Sequence, residues 1–387
     1  MEREIYFDNS ATTRPYDEVI EFINYINKNV YGNPSSLHSK GIEAERLIRN
    51  AREIIAKTLG VQREEIYFTS GGTEANNLAI LGYLKANPRK GRHVVTTRIE
   101  HPSVIEVYKF LSDEGYKVDF LDVDKNGIID IEGLREKINS DTALVSIIYI
   151  NNETGTIEPI EEIVKIKNSI NKETVLHVDA VQAYGKTRVL PKKEGIDILT
   201  ISSHKIHGPK GVGALYISKS VKVKPLILGG GQECLVRSGT ENVSGICGFG
   251  TAADITFKNM DENYEQCKSL KIAFTKKLVS EMDDVVIISP EDSSPYILNV
   301  SFRNIRAEVL LHHLEARSIF VSTGAACSSR KNVHSHVLKA MGVKPDIIEG
   351  AIRFSFSSFN TLEEVEETIE VLKGVLPKIS IKRGGKR

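Results

Sequence analysis

Alternation between short apolar strands and amphipathic helices is the feature that most constrains the fold of this 387-residue chain. Between about residues 40 and 220 the strand candidates include "HVVTTR", "ALVSIIYI", "VLHVDA" and "DILTISS", and helical runs separate the earlier ones. Several of these strands are apolar nearly throughout, which is typical of strands covered on both faces. The pattern predicts an α/β fold with a large, mostly parallel sheet covered by helices.

The C-terminal part of the chain has a different organisation. A long helical region is expected from about Val243 to Met282, and short strands and helices follow it. We predict a large α/β domain over residues 14–250 and a smaller α+β domain over residues 251–387, with residues 1–13 joining the smaller one.

Charge and hydropathy exclude several kinds of partner. The chain carries 51 basic and 51 acidic residues, so no net field favours nucleic acid or a membrane surface. The first residues, "MEREIYFDNSATTRP", lack the apolar stretch of a signal peptide. No apolar run approaches the roughly 20 residues that a membrane span needs. We therefore expect a cytoplasmic protein.

The cysteines form neither a C-x-x-C pair nor an alternation with histidine at zinc-ligand spacing, so neither a disulfide framework nor a metal site is expected. Cys247 and Cys267 are expected to be small buried hydrophobic residues. Cys327 is different, because the small residues around it in "VSTGAACSSRKNVHSH" offer little to bury it. A lone thiol in a predicted loop therefore needs an explanation.

Small and polar residues follow the strand candidate "EIYFTS" directly. Gly71, Gly72 and Thr73 stand at the start of the next helical run. Backbone N–H groups and a hydroxyl at a helix N-terminus form a ready anion site. An equally ordinary interpretation is a glycine turn with Thr73 as the helix N-cap.

Two later strands end at reactive or ionisable side chains. Asp179 ends an apolar strand, and Lys205 follows the next one in "TISSHKIHGPKG". A buried carboxylate is costly unless it has a charged or hydrogen-bonded partner. A lysine, an acid and an upstream anion site are together what pyridoxal 5′-phosphate needs: a covalent link, a partner for the pyridine nitrogen and donors for the phosphate.

On these motifs the chain resembles the cysteine desulfurases of the NifS/IscS type, which have the fold of class V aminotransferases. The resemblance covers nearly the whole chain, from "YFDNSATT" to "AIRFSF". It implies the pyridoxal-phosphate-dependent transferase fold, similar to that of aspartate aminotransferase. It also implies conversion of L-cysteine to L-alanine, with the sulfur held as a persulfide and passed to an acceptor protein. An iron–sulfur scaffold and a tRNA-thiolation enzyme are both open as acceptors.

The resemblance assigns roles residue by residue. Three residues are expected to be catalytic: Cys327 as the nucleophile, Lys205 as the cofactor lysine and His101, stacked on the pyridine ring, as a proton shuttle. Further contacts with the cofactor are expected from Gly72, Thr73, Asp179, Gln182, Ser202 and His204.

The remaining assignments concern the substrate and a second subunit. Asn152 and Arg353 are expected to hold the substrate carboxylate, for which a guanidinium suits a bidentate clamp. Thr240 in "RSGTEN" is expected to reach the phosphate in the neighbouring subunit. The resemblance therefore implies a homodimer with shared active sites.

Alternatives on the same fold are a selenocysteine lyase or another pyridoxal-phosphate transaminase or lyase. Cys327 favours sulfur transfer, because a transaminase needs no thiol. A non-catalytic sulfur-transfer scaffold is the alternative from another class. The joint presence of the expected catalytic and binding residues argues against it: Lys205, Asp179, His101, Cys327 and Arg353.

Two details of the sequence leave interpretations open. Relatives often carry Arg-Gly, or a similar basic or small pair, where this chain has Cys234 and Leu235. Cys234 is either a neutral substitution or a second sulfur-handling thiol near the site entrance. His334 and His336 are interpreted as solvated loop residues rather than as proton-transfer groups.

Overall fold

The computed structural model describes residues 4–323 and 335–380. Its strands are Ile5–Tyr6 (β1), Ile66–Thr69 (β2), His93–Thr97 (β3), Lys117–Leu121 (β4), Thr142–Ile148 (β5), Val175–Asp179 (β6), Ile198–Ser202 (β7), Gly213–Ile217 (β8), Val285–Ile287 (β9), Ile297–Phe302 (β10), Ile319–Phe320 (β11) and Ala351–Ser355 (β12). Its α-helices are Asp17–Asn29 (α1), Ser39–Leu59 (α2), Gly72–Asn77 (α3), Tyr83–Ala86 (α4), Pro102–Asp113 (α5), Ile131–Lys137 (α6), Ile160–Ile170 (α7), Pro191–Glu194 (α8), Val243–Lys258 (α9), Met260–Glu281 (α10), Ala307–Glu315 (α11), His336–Ala340 (α12), Pro345–Ile348 (α13) and Leu362–Ile379 (α14). Shorter helical turns span Arg63–Glu65, Leu78–Gly82, Ser203–Lys205 and Glu233–Leu235.

A seven-stranded sheet, with the order β2-β8-β7-β6-β5-β3-β4, lies at the centre of the fold. The strands from β7 to β4 run parallel, whereas β8 is antiparallel to both of its neighbours. The prediction of an α/β fold with a large, mostly parallel sheet is therefore confirmed. Strands β2, β3, β5, β6 and β7 all end at the same edge of the sheet, where open α/β sheets bind their ligands.

Successive residues of the central strands pack on opposite faces of this sheet. Leu144 and Ile198 belong to a core formed with α3, α4 and α5. Their neighbours Val145 and Leu199 belong to the core on the other face, formed with α2, α7 and α9. Side chains alternate in direction along a strand, so a strand covered on both faces is apolar at consecutive positions. This packing accounts for the uninterrupted apolar runs of the sequence.

A further core joins the N-terminal residues Ile5 and Phe7 to α10, α11, α14 and a three-stranded antiparallel sheet, β12-β10-β9. The helical region expected from Val243 to Met282 is two helices, because Asn259 leaves helical geometry between them. Helix α9 packs on the central sheet and α10 packs on the further core. The predicted boundary between residues 250 and 251 falls inside α9, and the division into two domains stays a prediction.

Burial separates the cysteines that the structure describes. Cys247 and Cys267 are 3% and 0% exposed, which confirms the expectation for both, and Cys234 is exposed. Cys327 and His334 lie outside the described residues. Within residues 4–323 and 335–380, no helix has both the length and the apolar character needed to cross a membrane.

Candidate active site

A cavity of about 1050 Å³ opens at the edge where the parallel strands end. The predicted residues that line it are Gly72, Thr73, His101, Asn152, Asp179, Gln182, Ser202, His204, Lys205 and Arg353. Thr240 is exposed and is not among the lining residues, and Cys327 lies outside the described residues. Residues from five strand ends and from β12 therefore meet at one place, as the strand-end argument predicts.

The helical run from Gly72 begins at the cavity, directly after β2. Gly71 precedes it with a φ of 150°, a conformation that favours glycine. A Cβ atom on Gly72 would lie 2.9 Å from Val181 Cγ2, so a larger residue there would displace its neighbour. The first N–H groups of a helix lack partners within the helix, and Thr73 adds a hydroxyl beside them. The helix start suits an anion, and its N-cap is Gly71 rather than Thr73.

Two polar side chains that the sequence analysis did not select link Asp179 to His101. Asn76 Nδ2 donates to Asp179 Oδ2 and to Ser103 Oγ, at 2.8 Å in both cases. Ser103 Oγ lies 2.8 Å from His101 Nδ1, and the backbone N–H of Val181 donates to Asp179 Oδ1 at 3.0 Å. Asp179 is only 3% exposed, so these N–H donors compensate the burial of its carboxylate.

These contacts determine which nitrogen of His101 carries the proton. A nitrogen that accepts the backbone N–H of Ser103 carries no hydrogen of its own, so the Ser103 hydroxyl, which accepts an N–H from Asn76, donates its hydrogen to His101 Nδ1. The backbone N–H of Ser103 also donates to Nδ1, at 3.2 Å, as a helix cap of α5. Burial lowers the pKa of His101, with Lys205 adding to the shift and Asp179 opposing it. The ring is therefore neutral, with its N–H at Nε2.

Lys205 ends the helical turn that follows β7. Its Nζ donates to the backbone carbonyl groups of Ser10 and Ala11, the latter at 2.7 Å. The N-terminal segment after β1 therefore contacts Lys205, the residue predicted to bind the cofactor. Burial lowers the pKa of His204 to about 3, with Lys205 adding to the shift. His204 is neutral near pH 7, so one of its ring nitrogens carries a hydrogen to donate.

Arg353 lies in β12, almost fully buried, and two groups fix its guanidinium. Its Nη2 donates to Asp8 Oδ1 at 2.8 Å and its Nη1 to the carbonyl oxygen of Asn152 at 2.9 Å. Its Nε is buried without a hydrogen-bond partner among the described groups. Nη1 and Nη2 each carry a second hydrogen, so this oriented guanidinium at the cavity wall is suited to a ligand carboxylate.

The described residues on either side of 324–334 contact the walls of the same cavity. Ser322 forms a β-bridge with Arg353, and Ser335 Oγ donates to Glu153 Oε2. Burial raises the pKa of Glu153 to about 7, although Ser335 and Arg353 both oppose the shift. His336 is half-buried and lines the cavity, and its Nε2 donates to a backbone carbonyl at 2.9 Å. The interpretation of His336 as a solvated loop residue is therefore wrong.

Sequence signals for the missed residues exist in two cases. Asp8 and Ser10 both belong to "YFDNSATT", whose polar residues stand close together in the sequence and indicate a site contact. Asn76 follows Thr73 by three residues, and residues three apart share one face of a helix. Asn76 could therefore have been placed beside the predicted anion site.

The donors around the cavity fit pyridoxal phosphate. Ser202 Oγ is buried and has no hydrogen-bond partner within the described structure, so a phosphate oxygen would satisfy it. The helix start at Gly72 supplies further donors, Asp179 supplies an acid for a ring nitrogen, and Lys205 supplies an amine for an aldehyde. The residues present therefore supply a partner for each of these parts of the cofactor.

Comparison with known proteins agrees with this chemistry. Residues 5–368 match the family model described as aminotransferase class-V. The chain is similar to "Cysteine desulfurase IscS" of Dictyoglomus turgidum, with 42% identity over 98% of this chain and 96% of that protein. It is similar to "Cysteine desulfurase IscS 1" of Archaeoglobus fulgidus, with 44% identity over 97% of both chains. A solved structure titled "NIFS-LIKE PROTEIN" superposes with a TM-score of 0.92 and 42% identity, over 97% of this chain and 100% of that one.

Proposed function

The chain belongs to the class V aminotransferase family and, within it, to the pyridoxal-phosphate-dependent cysteine desulfurases of the NifS/IscS type, and on that premise we propose that the cavity at the strand ends is its active site. The observation that carries the proposal is the meeting of Lys205, Asp179 and Arg353 in one cavity beside an anion-binding helix start. The substrate is L-cysteine, and the sulfur goes to acceptor proteins.

In this proposal the phosphate is held by the helix start and by hydroxyl and imidazole donors: Gly72, Thr73, Ser202 and His204. Pyridoxal phosphate, bound through Lys205, supplies an electron sink for the substrate. Asp179, oriented by Asn76, keeps the ring nitrogen protonated, because a nearby carboxylate favours the charged form. Gln182 donates an N–H to the phenolic oxygen of the cofactor.

The substrate carboxylate binds to Arg353 and Asn152. Asp8 holds one edge of the guanidinium, so the substrate meets a donor whose direction is already set. His101 lines the same cavity, so it would contact the cofactor ring and donate a proton from Nε2. Burial disfavours the charged form of this ring, so the neutral ring keeps its hydrogen at Nε2 for the donation.

Cys327 is the nucleophile in this proposal. Its thiolate attacks the sulfur of the substrate, an S–S bond forms, and the C–S bond of the substrate breaks. The electron pair of that bond stays on the substrate carbon, which takes up a proton to give L-alanine, and Cys327 is left as a persulfide. Support comes from two described residues near Cys327 in the sequence. Ser322 forms a β-bridge with Arg353, and Ser335 donates a hydrogen bond to Glu153, both in the cavity wall.

The experiment that tests this function is a product assay of the purified protein with L-cysteine and a thiol reductant. We expect alanine and sulfide in equal amounts, and no alanine when the cofactor has been removed. L-selenocysteine is assayed in parallel as an alternative substrate. Turnover of selenocysteine without turnover of cysteine would make the chain a selenocysteine lyase instead.

A homodimer with shared sites is the second part of the proposal. Thr240 is exposed and does not line the cavity of its own chain. The same stretch exposes large apolar side chains, with Leu228 76% and Leu235 71% accessible. Exposed apolar side chains of this size favour burial against another surface. Thr240 would then donate its hydroxyl to the phosphate in the partner subunit.

Subunit mixing tests the position of Thr240. Lys205→Ala and Thr240→Ala are expected to be inactive or weak alone, and a heterodimer of the two has one site with both lesions and one native site. Random exchange in a symmetric dimer makes half of the dimers heterodimers, so about a quarter of wild-type activity should return. Activity is measured after exchange has been verified by mass.

The control pair for this experiment is Lys205→Ala with Asp179→Ala. Both residues line the cavity of one chain, so their heterodimer has no native site and should recover nothing. Equal lack of recovery in both pairs would show that Thr240 acts within its own subunit.

The sulfur acceptor and the location complete the proposal. An iron–sulfur scaffold and a tRNA-thiolation enzyme both fit delivery from a cysteine persulfide. The choice between them, and the cytoplasmic location, stay predictions.

A further inference from the structure

Lys186 is a buried lysine to which neither the sequence motifs nor the proposed mechanism gives a role. It lies in the turn after β6, seven residues beyond Asp179, and is 7% exposed. Its surroundings disfavour the charged amine: the pKa of Lys186 is lowered to about 7, mainly by burial, with Lys205 and Arg353 adding to the shift and Cys267 opposing it. A lysine in such a position costs stability, so a specific contact has to account for it.

Another buried lysine in the same chain shows what an ordinary structural role looks like. Lys167 is 4% exposed, donates to the carbonyl oxygen of Thr174 at 2.7 Å and lies 3.7 Å from Asp197. Its burial is compensated by a carboxylate. Lys186 Nζ instead lies 5.6 Å from the ring centroid of Tyr296, and among the described residues it donates to one neutral side chain, at Gln182 Oε1, at 2.7 Å.

The contact with Lys186 determines how the Gln182 amide is oriented. Lys186 donates an N–H to Oε1 whether its amine is charged or neutral. On the other side of the amide, Gln182 Nε2 donates to the carbonyl oxygen of Ser10 at 2.9 Å, and a carbonyl oxygen only accepts. One partner requires the amide oxygen and the other requires the amide nitrogen, so the opposite orientation would break both hydrogen bonds.

The oriented amide keeps one N–H group for the cavity. Gln182 has two hydrogens on Nε2, Ser10 accepts one of them, and the side chain lines the cavity. The same Ser10 oxygen also accepts from Lys205 Nζ. Lys186, Gln182, Ser10 and Lys205 therefore form one chain of hydrogen bonds, which extends from the buried side of the turn to the cofactor lysine.

We propose that Lys186 is a positioning residue that holds the Gln182 amide with its N–H toward the phenolic oxygen of the cofactor. The inference rests on the proposed function, because it requires that Gln182 contacts pyridoxal phosphate. Loss of Lys186 leaves Gln182 Oε1 buried without a donor, and the amide then turns to satisfy it. The affinity for the cofactor then decreases, although Gln182 and the other residues that contact the cofactor are all still present.

A double-mutant cycle on cofactor affinity tests this proposal. The dissociation constant of pyridoxal phosphate is measured by absorbance titration of the full-length protein after removal of the cofactor. Lys186→Met should raise this constant about tenfold, the effect of one well-placed hydrogen bond. In a Gln182→Ala background the same substitution should change it less than about twofold, because Lys186 then has no amide to orient.

Lys167→Met is the matched control, since it removes a buried lysine far from the cavity and should leave the constant within about twofold of the wild-type value. Lys186→Leu is the second apolar replacement if Lys186→Met does not fold. A tenfold effect of Lys186→Met that persists without Gln182, or no effect in the native background, would overturn the proposal while leaving the proposed function intact. An unchanged constant in Gln182→Ala alone would overturn the assignment of Gln182 to the cofactor, and this inference with it.

Discussion

Replacing Lys205 by alanine is expected to remove the covalent attachment of the cofactor and to lower desulfurase turnover by roughly 10⁴-fold or more, as loss of a covalent catalyst does in other enzymes. The amine of Lys205 lies at the end of β7, against the Ser10 and Ala11 carbonyl groups, and its replacement leaves no amine there. Two measurements check this: the visible absorbance of the purified variant after dialysis, and the release of alanine from L-cysteine.

Lys210 provides the matched control for this prediction. It stands in the same "SSHKIHGPKG" stretch and is exposed, so Lys210→Ala should keep both colour and activity. Borohydride reduction of the wild-type enzyme should fix the cofactor on the peptide that contains Lys205. A cofactor fixed on Lys186 would contradict the assignment. Lys186 is the alternative to consider, because it is a buried amine close enough to Lys205 for the charge of Lys205 to lower its pKa.

Strand-end chemistry is the part of this site that the sequence predicts well. Asp179 and Lys205 follow apolar strands directly, and parallel strands bring their carboxyl ends to one edge whatever their order in the sheet. Knowledge of the exact strand order was therefore unnecessary for placing these residues together. The antiparallel direction of β8 was not predicted, but it does not move the residues that end β6 and β7.

Supporting contacts are the part that the sequence does not reveal. Asn76 contacts Asp179, which is 103 positions away, and it contacts Ser103 because α3 and α5 pack side by side. In the sequence Lys186 is likewise only a residue of a predicted turn. Its role depends on which atom of Gln182 accepts its hydrogen bond. Such roles are set by tertiary contacts, for which neither periodicity nor strand position carries a signal.

Replacing Cys327 by alanine is expected to separate cofactor binding from sulfur removal. The described residues that would hold the cofactor form their hydrogen bonds without Cys327. The Cys327→Ala protein should therefore stay coloured and change its spectrum when L-cysteine is added. It should release no sulfide above background and carry no persulfide, because only a thiolate can take the sulfur from the substrate.

The other cysteines supply the controls for Cys327→Ala. Cys234 is exposed in the glycine-rich loop and is the alternative sulfur-handling thiol of the sequence analysis. Burial raises the pKa of the Cys247 and Cys267 thiols to about 12. A buried thiol with so high a pKa is almost entirely protonated near pH 7, so it cannot act as a nucleophile. Each single alanine variant at these three positions should keep most of the activity.

Alkylation of the wild-type persulfide and peptide mapping locate the sulfur directly. The label should be on the peptide of Cys327, because the chain enters and leaves residues 324–334 at the cavity wall, through Ser322 beside Arg353 and Ser335 beside Glu153. A label on Cys234 with Cys327 unmodified would move the nucleophile to the glycine-rich loop, and a colourless Cys327→Ala protein would mean that the residue is needed to build the site rather than to react in it.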